Sequence, residues 1–257
     1  MSVTSTFFWR DRLRASRIHL GISLGIAALA ALLVFGLWFP YPYREISGGR
    51  ELFLIVVTVD VILGPLITLA VFNRLKPRTE LVRDLAVVGM IQLAALGYGL
   101  WTVFVARPVH LVFEYDRFRV VHAIDVADEL MDGRSPTVQA MPVTGPTLLA
   151  LRPFRNANEE GAATMAALQG FSLSARPDLW QPYDDARQRV LLASRPVTAL
   201  RQRFAGRVPD IDAAVARTGE PADALVYLPL VSRKAFWTVL LDGRTADVRG
   251  FLPLDSF

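Results

Sequence analysis

LFLIVVTVDVILGPLITLAVF, residues 52–72, is a run of 21 residues with one charged group, Asp60. About 20 helical residues cross the hydrocarbon core of a bilayer, so this stretch reads as a membrane span. Two runs of the same kind flank it, Leu20–Phe39 with 20 residues and Leu85–Val105 with 21, and neither holds a charge. The first is too long for the 7–15-residue core of a signal peptide, and the bulky Trp38-Phe39-Pro40-Tyr41 that follows is no small-residue cleavage site. It reads as an uncleaved anchor. A mean hydropathy of +0.35 over 257 residues agrees with three spans.

The cations around these runs set a direction. Arg10, Arg12, Arg14 and Arg17 precede the first, and Arg74, Lys76, Arg78 and Arg83 separate the second from the third. The first-to-second loop carries only Arg44 and Arg50, offset by Glu45 and Glu51. The positive-inside rule then places the N-terminus and the second loop in the cytoplasm, and the first loop and residues 106–257 outside, which in a Gram-negative bacterium is the periplasm. Trp38, Tyr41, Tyr43, Phe53, Trp101 and Phe104 fall at the outer ends of the runs, where amphipathic rings favour headgroups. This is the pattern of a multi-pass inner-membrane protein whose partners include the lipid bilayer.

Charge and composition exclude several function classes. The sequence pI is 9.7, yet residues 1–105 hold 10 Lys+Arg against 6 Asp+Glu, while residues 106–257 hold 18 of each. The whole excess sits in the apolar part, where it orients spans, so nucleic acid is not an expected partner. There is no cysteine, which rules out disulfides, thiolate metal sites and a Cys nucleophile. With three histidines in the chain, no metal cluster and no cofactor is expected.

Residues 106–257 suffice for one globular domain. Leu111, Phe113 and Tyr115 alternate with His110, Glu114 and Asp116, the pattern of a half-buried strand with a polar outer face, and a second strand follows through Phe118–Ile124. Asn158 is placed to cap a helix with Glu159 and Glu160 in its first turn and Gly170 past its end. Helical patterns cover 183–204 and 210–218. Ala224–Val231, Phe236–Leu241 and Ala246–Leu252 read as strands, the last two joined across Asp242-Gly243. The fold class is therefore a membrane α-helical part with three transmembrane helices, residues 1–105, followed by a mixed α/β (α+β) periplasmic domain, residues 106–257.

No nucleophile elbow, Walker loop, zincin motif or dinucleotide fingerprint occurs, and no catalytic residue is assigned. Ser232 and Lys234 read as neighbours on a solvated strand edge. The pointed residue is Asp60. A carboxylate near the middle of a span costs about 2.5–3.5 kcal/mol when ionised, and intramembrane acids are functional hypotheses by default. Counting from the cytoplasmic ends places Asp60 level with Gly97 and Tyr98, which makes Tyr98 its expected hydrogen-bond partner. Two readings stand: a tie between helices, or contact with a partner or a proton. Gly64 and Pro65 follow one turn later, and Pro65 frees the carbonyl of Val61 and is expected to kink the span, as a locally repaired break rather than a moving hinge. Gln92, at the same level, is expected to satisfy that carbonyl. Gly21-x-x-x-Gly25 and Ala95-x-x-x-Gly99 are small-residue spacings that allow close helix approach, to each other or to a foreign helix, and packing within the chain is the expected use.

The stretches RASRIHLGIS (14–23), VFGLWFPYP (34–42), VDVILGPLITL (59–69) and DLAVVGMIQLAA (84–95), continuing through Arg107-Pro108 to FEYDRF (113–118), resemble the type IV pilin accessory proteins of the TfpX/TfpZ group. The resemblance covers roughly residues 12–124 and thins downstream to Tyr227-Leu-Pro-Leu230 and the apolar strand after Arg233-Lys234. It implies an inner-membrane accessory protein, not an enzyme, that assists assembly of a major pilin into type IV pili in a chaperone-like manner. The implied contacts are helix docking in the membrane and a hold on the pilin head, beside other pilus assembly components. The competing classes are a periplasmic sensor, which short cytoplasmic loops disfavour, and a membrane-anchored envelope enzyme, which lacks a displayed site.

Overall fold

A computed structural model describes residues 3–257, and for residues 3–8 the backbone alone. The chain divides into two compact units, one made of residues 1–37 and 49–105 and the other of residues 38–48 and 106–257.

The first unit holds three helices long and apolar enough to cross a membrane. Helix α1, Val3–Leu33, continues into a π-helical turn, Val34–Trp38. The short α2, Tyr43–Ile46, belongs to the second unit. Helix α3 is Gly49–Val71 and α4 is Arg78–Val105. Because α3 starts at Gly49, Asp60 is the twelfth of its 23 residues, its exact centre in the count. The first helix packs along α3 and α3 along α4, so α3 stands between its neighbours. Gly99 makes the second contact close: a Cβ there would lie 2.6 Å from Cγ1 of Val56.

The second unit is built on a mixed sheet. Its strands are β1 (Pro108–Glu114), β2 (Arg117–His122), β3 (Thr147–Leu151), β4 (Trp180–Pro182), β5 (Arg195–Pro196), β6 (Leu225–Val231), β7 (Phe236–Asp242) and β8 (Val248–Leu252). The order is β4-β3-β1-β2-β6-β7-β8, with β5 on β6; β1 runs parallel to β3 and β2 to β6, and the other pairs are antiparallel. The helices are α5 (Ala157–Leu168), α6 (Arg187–Ala193), α7 (Val197–Arg203) and α8 (Val208–Thr218).

Both faces of the sheet are covered, which corrects the expected half-buried first strand. Leu111 and Phe113 join a core with Phe118, Leu228, Leu230 and Val239, while Val112 faces another with Leu149, Leu151 and Trp180. A third core lies where α7 and α8 meet Leu225, Tyr227 and Leu240. His110, expected on a polar outer face, is fully buried. The cap of α5 is Asn156, whose side chain accepts from the Glu159 amide at 2.9 Å; Asn158 lies inside the helix. Strands β7 and β8 are joined through a longer loop in which Asp242 Oδ1 accepts from the amides of Arg244 and Thr245. A two-residue turn at Asp242-Gly243 is thereby replaced.

Residues 38–48 are core material of this unit. Phe39 and Ile46 are fully buried, and Tyr43 is 7% exposed with its ring 6.0 Å from that of Phe251. Burial pushes the Tyr43 phenol well above its ordinary value. Tyr43 therefore sits in a protein interior, where the sequence placed it among headgroups. The carbonyl of Ile46 accepts from the Lys234 amide at 3.0 Å, and Ser47 and Ser232 share a hydroxyl hydrogen bond of 3.0 Å.

Candidate functional site

The polar residues of the apolar runs meet in the first unit. Ser16, His19 and Ser23 are spaced three and four apart, which puts them on one face of α1. Asp60, Gly64 and Thr68 recur every four residues and mark one face of α3. These faces meet: Ser16 Oγ donates to the carbonyl of Pro65 at 2.9 Å, and His19 Nδ1 lies 2.6 Å from Thr68 Oγ1. From the other side Gln92 Nε2 donates to the main-chain carbonyl of Asp60 at 3.3 Å.

Gly64 makes this meeting possible. A Cβ there would overlap the Gln92 amide and come within 3.1 Å of His19 Nε2. Gln92 thus reaches α3 at the expected level but serves the carbonyl of Asp60, where the sequence pointed to Val61. The missing side chain at Gly64 leaves the room in which the Gln92 amide reaches the carbonyl of Asp60. Helix α3 runs on through the buried Pro65 to Val71.

Above this polar layer lies a groove of about 200 Å³ with walls from α1 and α4 and its base on α3. His19, Ser23 and Ala27 line it from α1, Val57 and Asp60 from α3, and Gly89, Gln92 and Leu96 from α4. Among the described residues the Asp60 carboxyl receives no hydrogen bond and no ion pair. Tyr98 is not its partner, being 75% exposed. Matching residues by height ignores rotation about the helix axis: six residues on from Gln92, Tyr98 points about 120° away from it.

Gly21 and Gly25 also depart from expectation. Each is exposed, with no atom within 4 Å of a Cβ placed there. They lie two residues either side of Ser23, which turns them to the opposite face of α1 from the one that meets α3. Of the second small pair, Gly99 packs on Val56 and Ala95 faces outward.

In the second unit the polar residues singled out by sequence are structural in their contacts. His110 Nε2 lies 2.9 Å from the carbonyl of Ala140, so Nε2 carries the proton and Nδ1 accepts from the Thr147 hydroxyl at 2.7 Å. Burial drives its pKa down to about 4, against the opposing pull of the Ala140 carbonyl. Ser232 shares its hydroxyl hydrogen bond with Ser47. Among the described residues, no group of three or more His, Asp or Glu is placed to hold a metal ion. The sequence reading missed Ser16, His19, Ser23 and Thr68, although their helical spacing was there to find.

Three apolar helices that share a polar layer and an open groove, followed by a mixed sheet domain, define a membrane protein. The comparisons make the class specific. The model of the family described as fimbrial assembly protein FimB matches residues 7–48. The "Fimbrial assembly protein, serogroup I" of Dichelobacter nodosus is 34% identical over 249 residues, covering 95% of each chain. The serogroup E1 protein of that organism is 31% identical over 246 residues, again 95% of each, and the protein of serogroups C1 and C2 is 41% identical over 118 residues, 46% of this chain. This chain belongs to the fimbrial assembly protein family. No solved structure matches it.

Proposed function

We propose that this protein is a non-enzymatic accessory factor of the bacterial inner membrane that assists assembly of a major pilin into type IV pili. Its N-terminus and the loop between α3 and α4 lie in the cytoplasm, following the cations, and the sheet unit lies in the periplasm. The membrane unit docks the membrane helix of the pilin, and the sheet unit holds the pilin head, beside other assembly components. The observation that carries this reading is the full-length likeness to fimbrial assembly proteins in a chain with an open groove in its membrane unit. Two linked contacts raise the effective concentration of each, so that weak contacts suffice for a carrier that must also release its cargo.

Asp60, Gln92 and Gly64 form the groove side of the docking site, while Gly21 and Gly25 offer a second outward face on α1. The test is recovery of the major pilin with the tagged protein, solubilised from native cells in mild detergent. Pilin well above an untagged control is the expected result. Recovery of a kinase or an envelope enzyme in its place would favour a sensor or an enzyme assembly.

A further inference from the structure

We infer that the groove is the seat of one transmembrane helix of the partner, and that this helix presents a neutral hydrogen-bond donor, as hydroxyl or amide, level with Asp60. The inference rests on the reading above and gives its membrane contact a place and a chemistry.

Asp60 stands at the middle of α3, the depth at which water is scarcest, and its carboxyl meets no donor among the described residues. The donors that share the groove do not reach it: His19 Nδ1 is at Thr68 and Gln92 Nε2 at the Asp60 main chain, and neither Ser23 Oγ nor His19 Nε2 is hydrogen-bonded to the carboxyl. An unmet polar group in hydrocarbon is costly, so the site is incomplete as the chain alone builds it. A lipid acyl chain would fill the apolar part of the groove and still leave the carboxyl unmet. A helix that brings a donor satisfies both at once. The groove walls suit such a guest, since Ala27, Ser23 and Gly89 let a backbone come close, as small residues do between membrane helices. Among the described residues the outward Gly21 and Gly25 face holds no acid level with its glycines, Arg14 and Arg17 lying a turn or more before Gly21, and it is the natural control.

The experiment uses the full-length protein in native cells, with the photo-crosslinker benzoylphenylalanine in place of Leu93 in the groove or of Leu32 on the outside. The expected result is an adduct from position 93 that maps to the pilin's membrane helix, is absent from a pilin-deletion strain, and is weak from position 32. Asp60→Leu lowers that adduct about fivefold, the scale of one interhelical hydrogen bond, whereas Asp60→Asn, which keeps an acceptor, retains most of it. Equal adducts from both positions, lipid adducts alone from position 93, or an adduct indifferent to Asp60→Leu would each overturn the inference. Loss of the adduct with Asp60→Asn as well as Asp60→Leu, at normal protein level, would overturn the donor in favour of strict charge pairing. Pilin that still co-purifies without a groove adduct removes this inference and leaves the accessory role standing; no co-purification removes both.

Discussion

Two histidines, one in each unit, make the same first contact and different second ones. His19 Nδ1 is 2.6 Å from Thr68 Oγ1, and His110 Nδ1 is 2.7 Å from Thr147 Oγ1. The other nitrogen of His110 is closed off by Ala140 in a core where Trp180 stacks edge-on, with ring centres 4.5 Å apart. The other nitrogen of His19 sits against Gly64 at the rim of an open groove. A histidine–threonine pair is thus a fastening in the sheet and the edge of a groove in the membrane unit. The difference lies in what surrounds the second nitrogen, which no local motif records.

The largest effect is expected in the sheet unit. His110→Ala leaves the Thr147 hydroxyl and the Ala140 carbonyl unpaired beside a cavity, and is expected to cost about 3–4 kcal/mol, read by denaturant unfolding of the detergent-solubilised protein. The same group makes the fold acid-sensitive. Its folded pKa of about 4 lies below the ordinary 6.5, so the unfolded chain binds the extra proton first. Stability is full above pH 6.5, falls as the pH drops from 6.5 towards 4, and is flat in this term below that. The loss is on the order of 3 kcal/mol. A thermal-unfolding series in His110→Asn that kept the same slope across this window would show that another group is responsible.

On the membrane side, Gly64→Leu drives a side chain into Gln92 and His19 and is expected to cost about 1–3 kcal/mol of bundle stability in detergent. His19→Ala removes one interhelical hydrogen bond, for about 0.6 kcal/mol. Gly21→Leu and Gly25→Leu, on the open face of α1, are expected to stay within about 0.5 kcal/mol of the parent. An equal loss at Gly21 and Gly64 in the same melting assay would erase the distinction between open and packed faces.

The spans were legible because 20 apolar residues have few other solutions, and β6 to β8 because their alternation matches a sheet with distinct cores on its two sides. Strands β3 and β4 were not. Thr147–Leu151 follows a stretch of prolines and glycines, and three residues at Trp180–Pro182 carry no period. The polar face of α1 was hidden by Arg14 and Arg17, whose charges made that turn look like a mere flank of the span. Asp60 stood out at once, since one acid in 21 apolar residues needs no alignment to be noticed. Its surroundings depended on rotations about three helix axes, which counting heights does not supply. Residues 38–48 were misplaced for a chemical reason: tryptophan, tyrosine and proline suit a membrane interface and a protein core alike.

That loop also governs how the protein can be made. Phe39, Tyr43 and Ile46 leave the ribosome early, yet Phe251, against which Tyr43 packs, is among the last seven residues. The sheet unit therefore stays unfinished until synthesis is nearly over, holding an apolar segment in waiting while two more helices are inserted. Loss of the last seven residues would strand a piece of the chain made some two hundred residues earlier. For the same reason residues 106–257 expressed by themselves would carry a vacancy in their main core, and a soluble version needs residues 38–48 returned to it by a linker.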